Sequence, residues 1–191
     1  MGTGGTSRTM TANEAVISRR AAIGAAGAAL VGALSFPALA KGTAAIDHSF
    51  VILLKGPYQP VEHAPDLGLS TVHLDDGSYS TTKIYPVSGL PKGNKHDKSP
   101  IGNFYVQSNG VLCAYQIPGG AFSMEFIGQD YVLVDDGEGG QFLEGTFELT
   151  ILEATGAFRS LAGGHNHMVD KLHLLASGGA VEYCFCFISH P

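Results

Sequence analysis

Three histidines close together in the last third of the chain are the residues best placed to do chemistry. His165-Asn166-His167 follows two glycines, and His173 comes further along the same segment. In an extended strand all three imidazoles share one face, because alternate residues point the same way. His165 and His173 would be about 26 Å apart at ~3.3 Å per residue. A single metal ion could therefore bind His165 and His167, but not His173 as well.

Three roles are open to His165 and His167. They can satisfy backbone groups of a glycine-rich turn, act as a general acid and base, or bind a transition metal. Cupins also use a His-x-His pair, but there a glutamate follows, whereas here the matching positions hold Asp170 and Lys171. We predict acid/base chemistry with no metal and no cofactor, and a cupin-like metal site at His165 and His167 is the alternative.

Acidic residues accompany the long alternating segment that precedes these histidines. Glu144 and Glu148 share one face of it, and Glu153 lies on the other. If the shared face is solvated, the alternation is that of an antiparallel sheet with one wet side. If that face lines a cavity, Glu148 becomes a buried carboxyl group suited to acid/base catalysis.

Other polar side chains could complete such a site. Arg159 could anchor an anionic group or hold a carboxylate structurally. Tyr115 and Tyr183 could donate hydrogen bonds from an apolar wall or simply pack. The chain shows no Ser/His/Asp nucleophile motif, P-loop or dinucleotide-binding glycine pattern.

The N-terminus has the pattern of an export signal. Arg19 and Arg20 precede an apolar run of Ala and Gly that is too short and too weakly hydrophobic to span a membrane, and Ala38-Leu39-Ala40 suits signal cleavage. We predict a twin-arginine signal over residues 1–40, a periplasmic or secreted location, and a mature chain that is soluble after signal removal.

Charge and length limit what the mature chain can be. Residues 41–191 keep eight of the 11 basic residues and 16 of the 17 acidic ones, which gives a formal charge of −8. Such a surface repels nucleic acid, and we predict no nucleic-acid partner. A chain of this length forms one domain with a sizeable core.

The three cysteines limit disulfide formation. Cys184 and Cys186 share one strand face and are too far apart along an extended chain to bridge without distortion, whereas Cys113 could pair with either. All three lie among Phe, Tyr and Ile, which favours buried free thiols.

From residue 47 onward, short apolar or alternating runs are separated by Gly, Pro, Asp, Asn and Ser, which is typical of strands joined by tight turns. Asp75-Asp76-Gly77 is one such turn, and Leu90 to Pro100 is a basic loop that is either solvated or a lid. The predicted strands are His48 to Lys55, Leu67 to Leu74, Ser80 to Val87, Gly102 to Gln107, Val111 to Ile117, Phe122 to Phe126, Tyr131 to Val134, Phe142 to Glu153, Met168 to Ala176 and Val181 to Ser189.

These strands predict an all-β fold. About ten short antiparallel strands with little helix must protect their edges, and an antiparallel closed barrel of roughly eight strands does so, with a sandwich as the alternative. Both faces of the last strand are apolar, with Tyr183, Phe185 and Phe187 alternating with Cys184, Cys186 and Ile188. One face would meet the interior and the other a partner subunit, so we predict a homo-oligomer, a dimer or trimer.

The segment around Ala154-Thr155-Gly156-Ala157-Phe158-Arg159, followed by Gly163-Gly164 and a returning strand, resembles the allene oxide cyclase and dirigent barrel superfamily. Gly110-Val111-Leu112-Cys113 is similar to a Gly-Leu-Cys segment of plant allene oxide cyclases. The resemblance implies an eight-stranded barrel, often trimeric, with an apolar cavity that steers cyclisation of a reactive hydrophobic substrate without a cofactor. Lys55 stands where a carboxylate would be expected in the first strand.

Together these observations predict a cofactor-independent isomerase or cyclase that acts on a hydrophobic small molecule. We predict His165, His167, Glu148 and Tyr183 as its catalytic polar groups. Arg159, Cys113, Tyr115 and Phe147 are predicted to contact the substrate. The alternative is a barrel that carries an apolar ligand without chemistry.

Overall fold

The fold is a closed antiparallel barrel of eight strands in meander order. A computed structural model describes residue 46 and residues 48–74, 78–90 and 99–191. The predicted barrel is therefore confirmed, and the sandwich is excluded. The strands are β1 (Phe50–Pro60), β2 (Tyr79–Ser88), β3 (Gly102–Gln107), β4 (Leu112–Ile117), β5 (Gly120–Asp135), β6 (Gln141–Ala154), β7 (His165–Leu174) and β8 (Ala180–Ser189).

Pairing of the first and last strands closes the barrel. β1 runs antiparallel to β8 from Phe50 opposite Ile188 to Pro57 opposite Val181, without a break in register. Closure leaves no strand of the meander with a free edge, which removes the aggregation risk of an open sheet. Both edges of β8 are thereby paired, one with β1 and the other with β7.

Strict alternation decides which side chains enter the barrel. On β6, Leu143, Phe147 and Leu149 are at most 1% exposed, whereas Glu148 between them is exposed. Burying the apolar face contributes roughly 1.5–3 kcal/mol for each large side chain. The question of which face of β6 lines the barrel is thereby answered, because Glu144 and Glu148 point to solvent whereas Leu143 and Leu149 point inward.

The two ends of the barrel differ. We call one the helix end, because the 3-10 helix Gly156–Leu161 closes it. Phe158 of that helix is fully buried and its ring lies 5.9 Å from that of Phe50 and 5.5 Å from that of Phe122. Gly156 has φ +58°, and a Cβ there would collide with the carbonyl of Gly119, so only glycine fits this turn. The other end, with the turns at residues 108–111, 136–140 and 175–179, is called the hairpin end.

Three predicted strands differ from the structure in detail. Leu67 to Leu74 forms no strand but a strap over the outer face of β3 to β5, where Leu69 and Val72 pack in a second small apolar cluster with Tyr105. The strap is fastened by Glu153, whose carboxylate accepts hydrogen bonds from the backbone and hydroxyl of Ser70. The predicted strands Phe122 to Phe126 and Tyr131 to Val134 are one strand, β5, with a register shift between Phe126 and Gly128.

Some predictions fall outside the described residues: the signal over residues 1–40, the turn Asp75-Asp76-Gly77 and most of the loop Leu90 to Pro100. Among the described ranges, no helix has the length and apolar character needed to cross a membrane.

Candidate functional site

The four residues predicted to be catalytic lie on the outer surface. His165, Glu148 and Tyr183 are exposed and His167 is partly exposed, and each alternates with a buried neighbour on its strand. They therefore do not line the barrel interior, and their role as catalytic groups stays a prediction. The physical reason is register, because a shift of one residue exchanges the two faces of a strand.

The outer polar residues form local pairs, two between β6 and β7 and one between β7 and the β5–β6 turn. His167 Nδ1 lies 2.5 Å from Glu148 Oε1, and Lys171 Nζ lies 2.6 Å from Glu144 Oε1. His173 Nε2 is 2.8 Å from Asp136 Oδ2, and its ring stacks on Phe142 at 4.3 Å. His167 and His173 therefore belong to different pairs, and each is accounted for by a local partner.

The four predicted substrate contacts divide between the two sides. Cys113, Tyr115 and Phe147 are at most 1% exposed and belong to the main core cluster inside the barrel. Arg159 is exposed on the 3-10 helix at the helix end, apart from that interior. All three cysteines are buried and free, which confirms the preferred prediction.

A polar cluster lies inside the barrel on β7 and β8. Asp170 is 4% exposed, Glu182 is 1% exposed and Cys184 is fully buried. Asp170 and Cys184 are directly opposite each other in the β7–β8 ladder, and Glu182 is one inward position before Cys184 on β8. Among the described residues these three form a group whose oxygen and sulfur atoms all lie within 4.8 Å of one another. We call Asp170, Glu182 and Cys184 the inner acid–thiol cluster.

Hydrogen bonds extend the inner acid–thiol cluster in two directions. The hydroxyl of Tyr58 on β1 donates to Glu182 Oε2 at 2.5 Å. On the other side, Cys184 Sγ lies 3.8 Å from Cys186 Sγ, which accepts a hydrogen bond from Tyr115 at 3.2 Å. Asn166 Nδ2 in turn donates to the Tyr115 hydroxyl at 3.1 Å. A continuous polar path thus crosses an otherwise apolar interior.

Burial changes the acidity of this path. Burial, together with the nearby cysteines, raises the pKa of Tyr115 well above its usual value. Burial, the contact with Cys186 and the negative charges of Asp170 and Glu182 raise the pKa of Cys184 well above that of a free thiol. Both groups are therefore protonated at neutral pH and can donate hydrogen bonds.

The arrangement can transfer protons or bind a cation. A buried carboxyl group hydrogen-bonded to a phenol can hold or release a proton in a water-poor site. Carboxylate oxygens and thiolate sulfur are also ligands of divalent transition metals. His165 and His167 belong to no such group of three among the described residues.

Sequence reasoning missed Asp170, Glu182 and Asn166, although a signal was present. On β7 the even-numbered residues share one face, so Asn166 and Asp170 lie with the apolar Met168 and Leu172. The histidines are odd-numbered and share the other face with Lys171. Polar residues on the apolar parity are the ones that enter the barrel. The histidine spacing instead led to a site predicted on the opposite, outward-facing side of β7.

Comparison of the chain with protein-family models, curated proteins and solved structures gave no match. The barrel assignment rests on strand pairing, and the candidate site rests on the geometry of the inner acid–thiol cluster.

Proposed function

We propose that this barrel binds a hydrophobic small molecule and isomerises or cyclises it by proton transfer in its interior. One observation supports the proposal most strongly. Glu182 and Asp170 lie close together in an apolar interior, and Glu182 accepts a hydrogen bond from Tyr58. Burying two carboxyl groups in this way is costly, and such groups are concentrated at functional sites.

The chemistry needs no oxidant or reductant. Glu182 removes a proton from a substrate carbon next to a carbonyl, and the electron pair moves onto the carbonyl oxygen. The Tyr58 hydroxyl, which in the free protein donates to Glu182, turns to that oxygen and stabilises it by hydrogen bonding. The proton returns at another carbon, so atoms and electrons balance. Tyr115 and Asn166 position the polar part of the substrate from the far side of the cluster.

The walls of the interior determine the class of substrate. An unbroken row of rings leads from Phe158 at the helix end through Phe122, Tyr115 and Phe104 to Tyr58, with successive centroids 4.9–6.5 Å apart. These rings favour an apolar or unsaturated molecule over a highly charged one.

A groove at the hairpin end supplies a route toward this interior. It has a volume of about 320 Å³ and lies between the β5–β6 and β7–β8 turns. Leu174 lines the groove and also packs against the main core cluster. Leu174 lies opposite Ala180 in the β7–β8 ladder, and the next inward-facing residue of β8 is Glu182. Movement of these turns would admit a substrate close to Glu182.

The test uses the full mature chain and whatever apolar ligand purifies with it. Organic extracts are analysed by mass spectrometry, and the recovered compound is incubated with fresh protein in D₂O. Proton transfer through Glu182 predicts a rearranged product of unchanged elemental composition that carries solvent deuterium. Glu182→Gln and Tyr58→Phe should each lower the rate by about 10²-fold or more.

Glu148→Gln is the matched control, because it changes the same group on the outer face. A ligand that is recovered unchanged and without deuterium would identify a carrier and overturn the enzyme proposal. Failure of the protein to bind any apolar molecule, including the neutral probe N-phenylnaphthylamine, would overturn both the enzyme proposal and the carrier alternative.

We also propose that the mature chain acts after export and as a homo-oligomer. Support for export comes from the paired arginines Arg19 and Arg20. Support for assembly comes from the outer face of β7 and β8, where Val169, Tyr183 and Phe187 are 44–45% exposed beside one another. Light scattering should give a dimer or trimer, and Phe187→Ser should shift it toward the monomer. A monomer at micromolar concentration would contradict the proposal.

A further inference from the structure

We propose that Asp170, Glu182 and Cys184 form a buried site for a divalent transition metal of the zinc class, with Cys186 as the fourth ligand. The inference stands on donor geometry and does not depend on the proposed reaction, in which Glu182 acts as the base of the metal-free protein. A barrel that only carried a ligand could hold the same ion.

The arrangement of donors comes close to what zinc requires. With Zn–S and Zn–O bonds of about 2.3 and 2.0 Å, tetrahedral ligand atoms lie roughly 3.3–3.8 Å apart. The Sγ atoms of Cys184 and Cys186 are 3.8 Å apart, the spacing of two thiolates on one zinc ion. The oxygens of Asp170 and Glu182 lie within 4.8 Å of Cys184 Sγ and of each other. Asp170, Glu182 and Cys184 thus approach the spacing of ligands on one ion, and Cys186, which lies outside this group of three, would have to rotate toward it to become the fourth ligand.

An unsatisfied atom points independently to a ligand. Glu182 is 1% exposed, and among the described residues its Oε1 atom has no hydrogen-bond partner. A buried acceptor without a partner is unfavourable, because it has lost its hydrogen bonds to water. A metal bound at Oε1 would satisfy it while Oε2 keeps its hydrogen bond from Tyr58.

Charge also favours a cation. The lysines of the strands nearest the cluster, Lys55 on β1 and Lys171 on β7, alternate with buried residues and are exposed on the outer face. They therefore cannot offset negative charge inside the barrel. With both cysteines bound as thiolates the four ligands would carry four negative charges, of which a divalent ion would offset two.

The surrounding hydrogen bonds match those of a metal site. Ligands in such sites are oriented by donors or acceptors in the next layer. Here Tyr58 donates to Glu182, and Tyr115, itself bonded by Asn166, donates to Cys186. Two of the four proposed ligands are thus already held by phenols.

Cobalt(II) is the probe, because it takes tetrahedral zinc sites and reports thiolate ligands by absorption. The full chain is stripped of metal by a chelator and titrated with Co²⁺. We expect one equivalent to produce the intense visible bands of tetrahedral cobalt and a near-ultraviolet thiolate-to-cobalt band. One equivalent of Zn²⁺ should abolish both.

Variants locate the site. Cys184→Ser should lose the thiolate band, and Glu182→Gln should weaken zinc binding about 10- to 100-fold. Cys113→Ser is the matched control, because Cys113 is equally buried in the barrel but is not in the cluster. Near-ultraviolet circular dichroism checks that each variant is folded. Persistence of the thiolate band in Cys184→Ser would overturn the assignment.

A second measurement avoids the risk that a variant fails to fold. X-ray absorption of the zinc-loaded wild-type chain should show both sulfur and oxygen ligands. A shell of nitrogen ligands alone would move the metal to the outer histidines and overturn the proposal. So would the absence of tetrahedral cobalt bands at an excess of Co²⁺, whatever the outcome of the substrate experiment.

Discussion

The outer and inner faces of β6, β7 and β8 carry acidic residues in opposite circumstances. Outside, Glu144 and Glu148 pair with Lys171 and His167, with all four side chains 42–52% exposed. Inside, Asp170 and Glu182 are almost fully buried beside thiols and phenols. The same strands thus hold one set of acids that water can screen and one set that it cannot.

This difference separates surface pairing from a candidate site. Exposed ion pairs contribute about 0–1 kcal/mol and are weakened by salt. Buried acids cost several kcal/mol unless a proton, a donor or a cation offsets them. A buried acid on the inner face therefore needs an explanation, which the proposed function supplies. An exposed acid on the outer face needs none.

The largest expected effect is on thiol reactivity. Cys184 is fully buried and its pKa is raised by burial, by Cys186 and by nearby carboxylates, so its reactive thiolate is scarce and inaccessible. Labelling with a maleimide in the native protein should be slower than in denaturant by about a thousandfold or more, given a typical stability of at least ~5 kcal/mol. Peptide mass spectrometry measures the rate at each cysteine.

Tyr183→Cys provides the control, since residue 183 precedes Cys184 on the same strand but faces outward. In the monomeric Phe187→Ser background its thiol should react at nearly the rate of a free cysteine. Equal rates at positions 183 and 184 would show that the two faces of β8 are not distinguished as the barrel requires.

Core truncation should show the next largest effect. Phe147 is 1% exposed, and its ring packs 5.9 Å from Phe126 and 6.0 Å from Tyr131. Phe147→Ala should lower the free energy of unfolding by about 3–5 kcal/mol, because it leaves a cavity in the barrel. Phe187→Ala, which truncates a ring that is 44% exposed, should cost less than about 1 kcal/mol in the monomer. Denaturant titration of both variants measures the difference, and similar losses would contradict the assigned faces.

Much of the fold could be predicted from local pattern. The bounds of β3, β6 and β8 were predicted to within one residue, because strict alternation ends at glycine- or asparagine-containing turns. Leu67 to Leu74 has similar local composition but packs its apolar residues on the outer face of β3 to β5. That outcome depends on a surface assembled from distant residues, which local pattern does not contain.

The site was harder to predict because it depends on which face of each strand points into the barrel. β8 is apolar on both faces, so its sequence does not show whether Tyr183 or Cys184 faces inward. Glu148 and Leu149 pose the same choice on β6. The pairing of β6, β7 and β8 decides which face of all three strands points inward. Glu148 lies opposite His167 in this ladder, and His167 lies opposite Phe187.

A smaller effect is expected from the pair of Asp136 and His173 on the outer face. The hydrogen bond from His173, helped by the backbone N–H groups of Glu138 and Gly140, lowers the pKa of Asp136 below its usual value. A depressed folded-state pKa stabilises the protein above the unfolded value of about 4, and this contribution is lost as pH falls through the folded pKa.

Asp136→Asn should therefore lower the melting temperature near neutral pH, and the difference from wild type should vanish as pH falls below about 4. Thermal unfolding across that range measures it. A difference that grew on acidification would contradict the role assigned to the Asp136 carboxylate. Added salt should change the difference little, because the Asp136 side chain is only 7% exposed beside His173.

The smallest expected effect tests the face on which chemistry takes place. Glu148→Gln keeps the shape of the side chain and removes the charge that faces His167, so its cost in stability should be less than about 1 kcal/mol. Its product ratio and rate should equal those of wild type, whereas Glu182→Gln on the inner face should lose turnover. If Glu148→Gln abolished turnover while the fold persisted, the reaction would take place on the outer face at Glu148 and His167, and the inner acids would have only a structural or metal-binding role.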